Sequence, residues 1–236
     1  MLRESTTAVP PGPAFDYTGG AMPRYRTVLF DLDGTLIDSI SLILDSYHHT
    51  FETFGLPKRR STEWLVGIGT PLRVHLAAWA RDEAMLEAMI AVYRAYNLTH
   101  HDARVRAYPG IVAAVRALAA AGVRLGLVTS KNRSGAERGL IAAGLHGAME
   151  AMICADDVEN PKPHREPVDR AVAKLSADPA ETLFVGDSVH DMHAGKAATV
   201  GTGAALWGPF SRADLEASEP SHWLASPEDL LRLVLG

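Results

Sequence analysis

Two hydrophobic periods divide the chain. Thr27 to Phe30 is a short continuous apolar run, the signature of a strand buried on both faces. Beyond it, Ile40, Ile43, Leu44, Tyr47, Phe51 and Phe54 recur at three- and four-residue steps and predict one amphipathic helix, stopped by Gly55 and Pro57. Met85, Leu86, Met89, Ile90, Tyr93 and Tyr96 predict a second. Between the two lies Gly67-Ile68-Gly69-Thr70-Pro71, a turn that leads into Leu72, Leu76 and Trp79. Residues 40–106 therefore read as several helices and no strand.

The pattern changes after Tyr108-Pro109-Gly110. Helical stretches over residues 109–121, 134–143, 167–175 and 189–197 alternate with short apolar runs over 123–128, 151–154, 182–185 and 199–207. Such alternation predicts parallel strands joined by right-handed helical crossovers. The expected fold class is α/β: a Rossmann-like parallel-sheet core, residues 25–39 and 107–236, with an inserted all-helical cap, residues 40–106. Residues 1–24 crowd Pro10, Pro11, Pro13, Gly12, Gly19 and Gly20 into a polar segment without an apolar signal region. They read as a flexible N-terminal extension, with Met22 as a candidate start.

Composition narrows the classes. The 236 residues carry a net charge of −5, which gives no global basic signature for nucleic acid or an anionic membrane. No apolar run reaches the roughly 20 residues of a membrane helix, so a cytoplasmic location is expected. Cys154 is the one cysteine, which excludes an intrachain disulfide and a cysteine zinc cluster; it reads as a buried packing residue. The adjacent pairs His48-His49 and His100-His101 project about 100° apart on a helix and cannot easily share a metal.

Chemistry is expected at the carboxyl ends of the strands, where open α/β sheets bind ligands. The first strand ends in Asp31 and Asp33, with Gly34 next; the second in Thr129-Ser130-Lys131. After the third come Asp156, Asp157 and Lys162, and the fourth ends in Gly186-Asp187-Ser188-Val189-His190-Asp191. Clustered carboxylates repel unless a cation neutralises them, and Mg²⁺ prefers such oxygen ligands. Asp156 and Asp157 read as a solvated loop pair, and Asp38 with Ser39 as the cap of the helix that follows.

The tract Asp31-Leu32-Asp33-Gly34-Thr35 resembles the first motif of the haloacid dehalogenase-like hydrolases, in the DxDGT form of its phosphatases. With Thr129, Lys162 and Asp187-Asp191, four motifs of that family stand in order. The tracts YNLTHHDARVRAYPG and ADDVENPKPHREPV are similar to the phosphoglycolate phosphatase branch and its pyrophosphatase relatives. The resemblance implies Mg²⁺-dependent hydrolysis of a small phosphomonoester or pyrophosphate through an aspartyl-phosphate. It implies Asp31 as nucleophile and metal ligand, and Asp33 as acid and base with its backbone carbonyl on the metal. Thr129 and the Ser130 N–H would bind phosphate, and Lys162 would offset negative charge. Asp187 would ligate the metal and Asp191 support it; His190 and His193 lie close by. One departure is His164 and Arg165 where relatives carry KPxPxP.

In the cap, Arg73 is the candidate for a second substrate anion, with Lys58, Arg59 and Arg60 behind it; Tyr93 and Tyr96 read as packing. Within the family, dehalogenases lack the second acid of the first motif. A Schiff-base hydrolase would need a cap lysine better placed than Lys58. A sugar-phosphate phosphatase or phosphomutase stays open as the alternative. A non-enzymatic binding module is disfavoured, because both acids of the first motif are present.

Overall fold

The computed structural model describes residues 23–236; the readings made above for residues 1–22, Met22 included, lie outside it. Arg24, at the end of the proposed extension, already belongs to the folded body, its N–H bonded to the Val234 carbonyl at 2.9 Å.

Six parallel strands form the sheet: β1 (Thr27–Phe30), β4 (Arg124–Val128), β5 (Ala151–Ile153), β6 (Thr182–Gly186), β7 (Gly201–Ala205) and β8 (His222–Leu224), in the order β5-β4-β1-β6-β7-β8. β1 is central, with Thr27 in register with Arg124 on one side and Thr182 on the other. All four of its residues are buried, which is why it reads as an unbroken apolar run. Successive side chains point to opposite faces. Val28 and Phe30 join the core built with α5 (Ile111–Ala120), α6 (Arg133–Ala142) and α10 (Pro227–Leu235). Leu29 joins the one built with α7 (Glu166–Lys174) and α8 (Val189–Ala197). Cys154 is buried in the first of these cores, and burial pushes its thiol up to about 11.

The insertion holds α1 (Ile40–Thr53), α2 (Ser61–Leu65), α3 (Leu72–Ala77) and α4 (Glu83–Arg104). They close on their own core, in which Tyr47 stacks on Trp64 at 4.8 Å and Ile43, Phe51, Leu86 and Met89 are buried. The reading of residues 40–106 as helices without a strand holds up to its last residue, Arg106. Ile37–Asp38 (β2) and Arg106–Ala107 (β3) pair antiparallel at the root of the insertion. Two-residue strands are too short to leave a period in the sequence. At the same root, Arg138 on α6 grips Asp102 on α4 through two bonds of 2.7 and 2.8 Å. Among the described residues no helix is long and apolar enough to cross a membrane.

Candidate active site

The chain runs out from β1 to β4 and β5 on one side, then returns to β6 and β7 on the other. Strand order therefore reverses beside β1, and the crevice at its carboxyl end is the expected ligand position. Asp31 stands there; its N–H continues the ladder to the Val185 carbonyl at 2.9 Å. The turn that follows folds back sharply, with the N–H groups of Leu36 and Ile37 both on the Leu32 carbonyl. Trp207 anchors this turn from β7's end by donating to the Thr35 carbonyl at 2.9 Å.

Three carboxylates meet in a buried cluster, Asp31, Asp187 and Asp191, with one oxygen of each within 4.8 Å of the others. Lys162 is buried among them. Its Nζ lies 2.9 Å from Asp31 Oδ1 and 2.6 Å from Asp191 Oδ1. Asp191 also serves α8. Its Oδ2 accepts from the Ser188 N–H at 3.0 Å and the Ser188 hydroxyl at 2.6 Å, so it is helix cap and cluster member at once. Asp187 Oδ1 accepts from the Thr35 hydroxyl at 2.7 Å, whereas Asp187 Oδ2 is buried without a partner.

Electrostatics follow from three buried acids sharing one ammonium. Burial pushes Asp31 up to about 7, against the pull of Lys162 and with the push of Asp191. Burial likewise raises Asp187 well above the carboxylate range, helped by Asp191 and Asp31. For Lys162, burial alone would lower the pKa, but Asp191 and Asp31 outweigh it and the ammonium is held protonated. A divalent cation fits this set. It would supply the missing positive charge, satisfy the orphaned Asp187 oxygen and favour the carboxylate form of Asp31.

Asp33 lies outside that cluster and, with Asp31, lines a cavity of about 500 Å³ between the sheet and the helical insertion. Both its oxygens are taken. Lys131 Nζ donates at 2.8 and 3.0 Å, and the Ser39 hydroxyl donates to Oδ1 at 2.6 Å. Ser39 is thus corrected from the helix-capping role expected of it: it precedes α1 but makes no side-chain cap bond. Lys131, named in the sequence at the end of the second strand but given no role there, is the residue that holds Asp33. Thr129 is buried at the end of β4, and the Ser130 hydroxyl donates to the Gly69 carbonyl of the insertion at 2.6 Å. The same loop packs close to His190, whose ring would stand 3.1 Å from a Cβ at Gly69.

Two further expectations change. Asp156 and Asp157 are not a free solvated pair. Asp156 accepts from the Arg133 N–H at 2.8 Å, and Asp157 from the Arg133 guanidinium at 2.6 Å and the Cys154 N–H at 2.8 Å, so both pin the start of α6. Arg73 lines the cavity but is no free cation, because Glu83 (2.6 Å) and Glu87 hold its guanidinium. Arg59 lies over the Trp79 ring at 4.0 Å and Arg60 faces Glu63; neither lines the cavity, nor does Lys58.

Comparison with known proteins agrees with this geometry. Residues 28–205 match the family described as haloacid dehalogenase-like hydrolase. The pyrophosphatase PpaX of Anoxybacillus flavithermus is 40% identical over 209 residues, 89% of this chain and 96% of that protein. The structure of a predicted phosphoglycolate phosphatase from Haemophilus somnus superposes with a TM-score of 0.81 at 24% identity, covering 90% of this chain and 99% of the other. That of a supposed phosphoglycolate phosphatase from Lactobacillus plantarum gives 0.77 at 28% identity, over 89% and 99%. The chain belongs to the haloacid dehalogenase-like hydrolases and is a phosphatase of that family.

Proposed function

We propose that the protein hydrolyses a small phosphomonoester of the 2-phosphoglycolate type, or pyrophosphate, through a phosphoryl group carried on Asp31. The observation that carries this reading is the pairing of a buried strand-end carboxylate with a buried ammonium 2.9 Å away, beside two further acids. Asp31 attacks phosphorus, forming one P–O bond as the bond to the leaving oxygen breaks. Asp33 gives that oxygen a proton. It then takes one from the water that attacks the aspartyl-phosphate, releasing phosphate and restoring Asp31. To do either, Asp33 must give up part of its contact with Lys131. The Thr129 hydroxyl and the Ser130 N–H hold phosphoryl oxygens; Lys162 offsets charge on Asp31 and the phosphoryl group. A divalent cation, Mg²⁺ by its oxygen donors, would be held by Asp31, Asp187 and the Asp33 carbonyl, with Asp191 in support. It supplies Lewis-acid polarisation of the phosphoryl group.

The PpaX name of the relative above and the phosphoglycolate phosphatase descriptions of the similar structures support this substrate class. A second reading, a sugar-phosphate phosphatase or mutase, is favoured by one feature: the cavity extends past Ile43, Tyr47, Leu72 and Leu98, an apolar wall that a diphosphate does not need. The test is phosphate release from pyrophosphate, 2-phosphoglycolate, sugar phosphates and an aryl phosphate, in wild type and Asp31→Asn. Turnover of the first two with a loss of ~10³-fold in the variant, about 4 kcal/mol of barrier, is expected. Faster sugar-phosphate turnover transfers the assignment to the second reading. A folded Asp31→Asn protein with near-wild-type rates removes the mechanism.

A further inference from the structure

Three cationic side chains line the cavity: Arg73, Arg94 and Lys131. Two are spent within the protein. Arg73 is held by Glu83 and Glu87, both on α4, and Lys131 by both oxygens of Asp33. Among the described residues Arg94 has no ion-pair partner, and it is exposed to the cavity's solvent. It stands on α4 one turn before Leu98, which lines the cavity with it, and the neighbouring Tyr93 and Asn97 line the same cavity. Tyr93 and Asn97 are buried. Asn97 is fixed by its amide bond to the Ser46 hydroxyl at 3.1 Å, and Ser46 in turn donates to the Leu42 carbonyl at 2.6 Å. The helix under Arg94 is therefore a rigid platform, while the guanidinium itself is unengaged.

We infer that Arg94 is the residue that reads the second anion of the substrate. The inference rests on the small-substrate reading above. With the phosphoryl group at Asp31 on the sheet side, the leaving group projects toward the helical insertion, where Arg94 is, among the described residues, the one cavity-lining cation left unpaired. An anion taken out of water needs a counter-charge. A guanidinium meets carboxylate and phosphate alike with a planar two-bond fork. One residue can thus accept the carboxylate of 2-phosphoglycolate and the second phosphate of pyrophosphate. Arg73 could do so only by abandoning two glutamates.

The test compares kcat/KM for pyrophosphate, 2-phosphoglycolate and p-nitrophenyl phosphate in wild type, Arg94→Gln, Arg94→Lys and Arg73→Gln. Arg94→Gln is expected to lose about 30-fold or more on the two substrates that carry a second anionic group, mostly in KM, the usual scale for truncating one partner of a desolvated charge pair. Its loss on the aryl phosphate, whose leaving group carries no second anion, should be at least about tenfold smaller. Arg94→Lys keeps the charge without the fork and should fall between wild type and Arg94→Gln. Equal proportional losses on all three substrates overturn the inference, as does a selective loss in Arg73→Gln with none in Arg94→Gln. A wild-type protein that turns over the aryl phosphate but neither pyrophosphate nor 2-phosphoglycolate overturns the substrate reading and this inference together. In the other two failures the substrate reading survives.

Discussion

Gly34 is the position where backbone conformation and active-site geometry meet, and replacing it with alanine separates two costs that are usually confounded. Its φ is +89°, a region that L side chains rarely adopt. A Cβ there would also lie 2.4 Å from Asp187 Oδ2 and 2.7 Å from its Cγ. Asp187 cannot retreat. Thr35 holds its other oxygen at 2.7 Å, and Gly208 packs so closely behind it that a Cβ at 208 would stand 2.6 Å from Asp187 Cβ. The conformational part costs ~1–2 kcal/mol and the overpacking a further ~1–3 kcal/mol, so roughly 2–5 kcal/mol from a domain stable by about 5–15 kcal/mol. Gly122 is the control. Its φ is +77°, but nothing lies within 4 Å of a Cβ built there. Gly122→Ala should melt about 2–8 °C below wild type and Gly34→Ala about 4–20 °C below. Gly34→Ala alone should also lose about 10²-fold in phosphate release, because a displaced Asp187 shifts the site by a fraction of an ångström or more. If it melts no lower than Gly122→Ala and turns over at a similar rate, Asp187 has room that the argument denies it.

Three more outcomes follow from the same electrostatics. Lys162→Met leaves the buried Asp31 and Asp191 without their ammonium; removing such a partner costs about 3–5 kcal/mol and should lower the melting temperature by about 6–20 °C, whereas a change of a degree or two would mean the acids are already compensated. Chelator should abolish activity and Mg²⁺ restore it and raise the melting temperature; Ca²⁺, with its larger and looser coordination, should stabilise without supporting turnover, and equal rates with both ions would count against the role given to Asp31. Burial lowers the pKa of His75, which bonds the Tyr47 hydroxyl at 2.9 Å, below its ordinary 6.5. The unfolded chain then takes up the proton first, so the stability owed to neutral His75 is lost as pH falls through about 6.5 and levels off below the folded pKa. The melting gap between wild type and His75→Gln should narrow from about pH 7.5 to about pH 5, and a constant gap would show that His75 does not titrate on unfolding.

What the sequence made legible follows from range. β1 and the acids after it could be read because a central parallel strand is apolar at every position and its end is where ligands bind. The helices of the insertion could be read because each keeps one apolar face. β8, with only His222-Trp223-Leu224, offers no period; α10 was announced by Ser226-Pro227-Glu228-Asp229 before Leu230, a capping signal that the reading above left unused. Ser39 illustrates a different limit. A serine before a helix suggests the local partner, but the reversal at Gly34 brings Asp33 within 2.6 Å, and only the folded turn decides which bond forms. Arg73 and Arg94 differ in the same way. Sequence displays both charges, but not that Glu83 and Glu87, one turn apart on α4, close on the first and leave the second free.

That distribution of charges bears on how such a fold changes substrate. Every residue proposed to handle phosphorus comes from the sheet side: Asp31 and Asp33 after β1, Thr129 after β4, Lys162 after β5 and Asp187 after β6. The residue proposed to meet the leaving group comes from α4, in a body with its own aromatic core. Besides the root contact of Arg138 with Asp102, the two halves touch over the site. The Ser130 hydroxyl holds the Gly69 carbonyl, and a Cβ at Gly69 would stand 3.0 Å from Ser188 Oγ and 3.1 Å from the His190 ring. Ser130 follows one phosphate-side motif and Ser188 begins another, so a single loop of the insertion is registered against both. Arg94, from α4, lines the same cavity. On these proposals, substitutions on α4 alter which leaving group is accepted while the buried cluster of Asp31, Lys162, Asp187 and Asp191 stays unchanged.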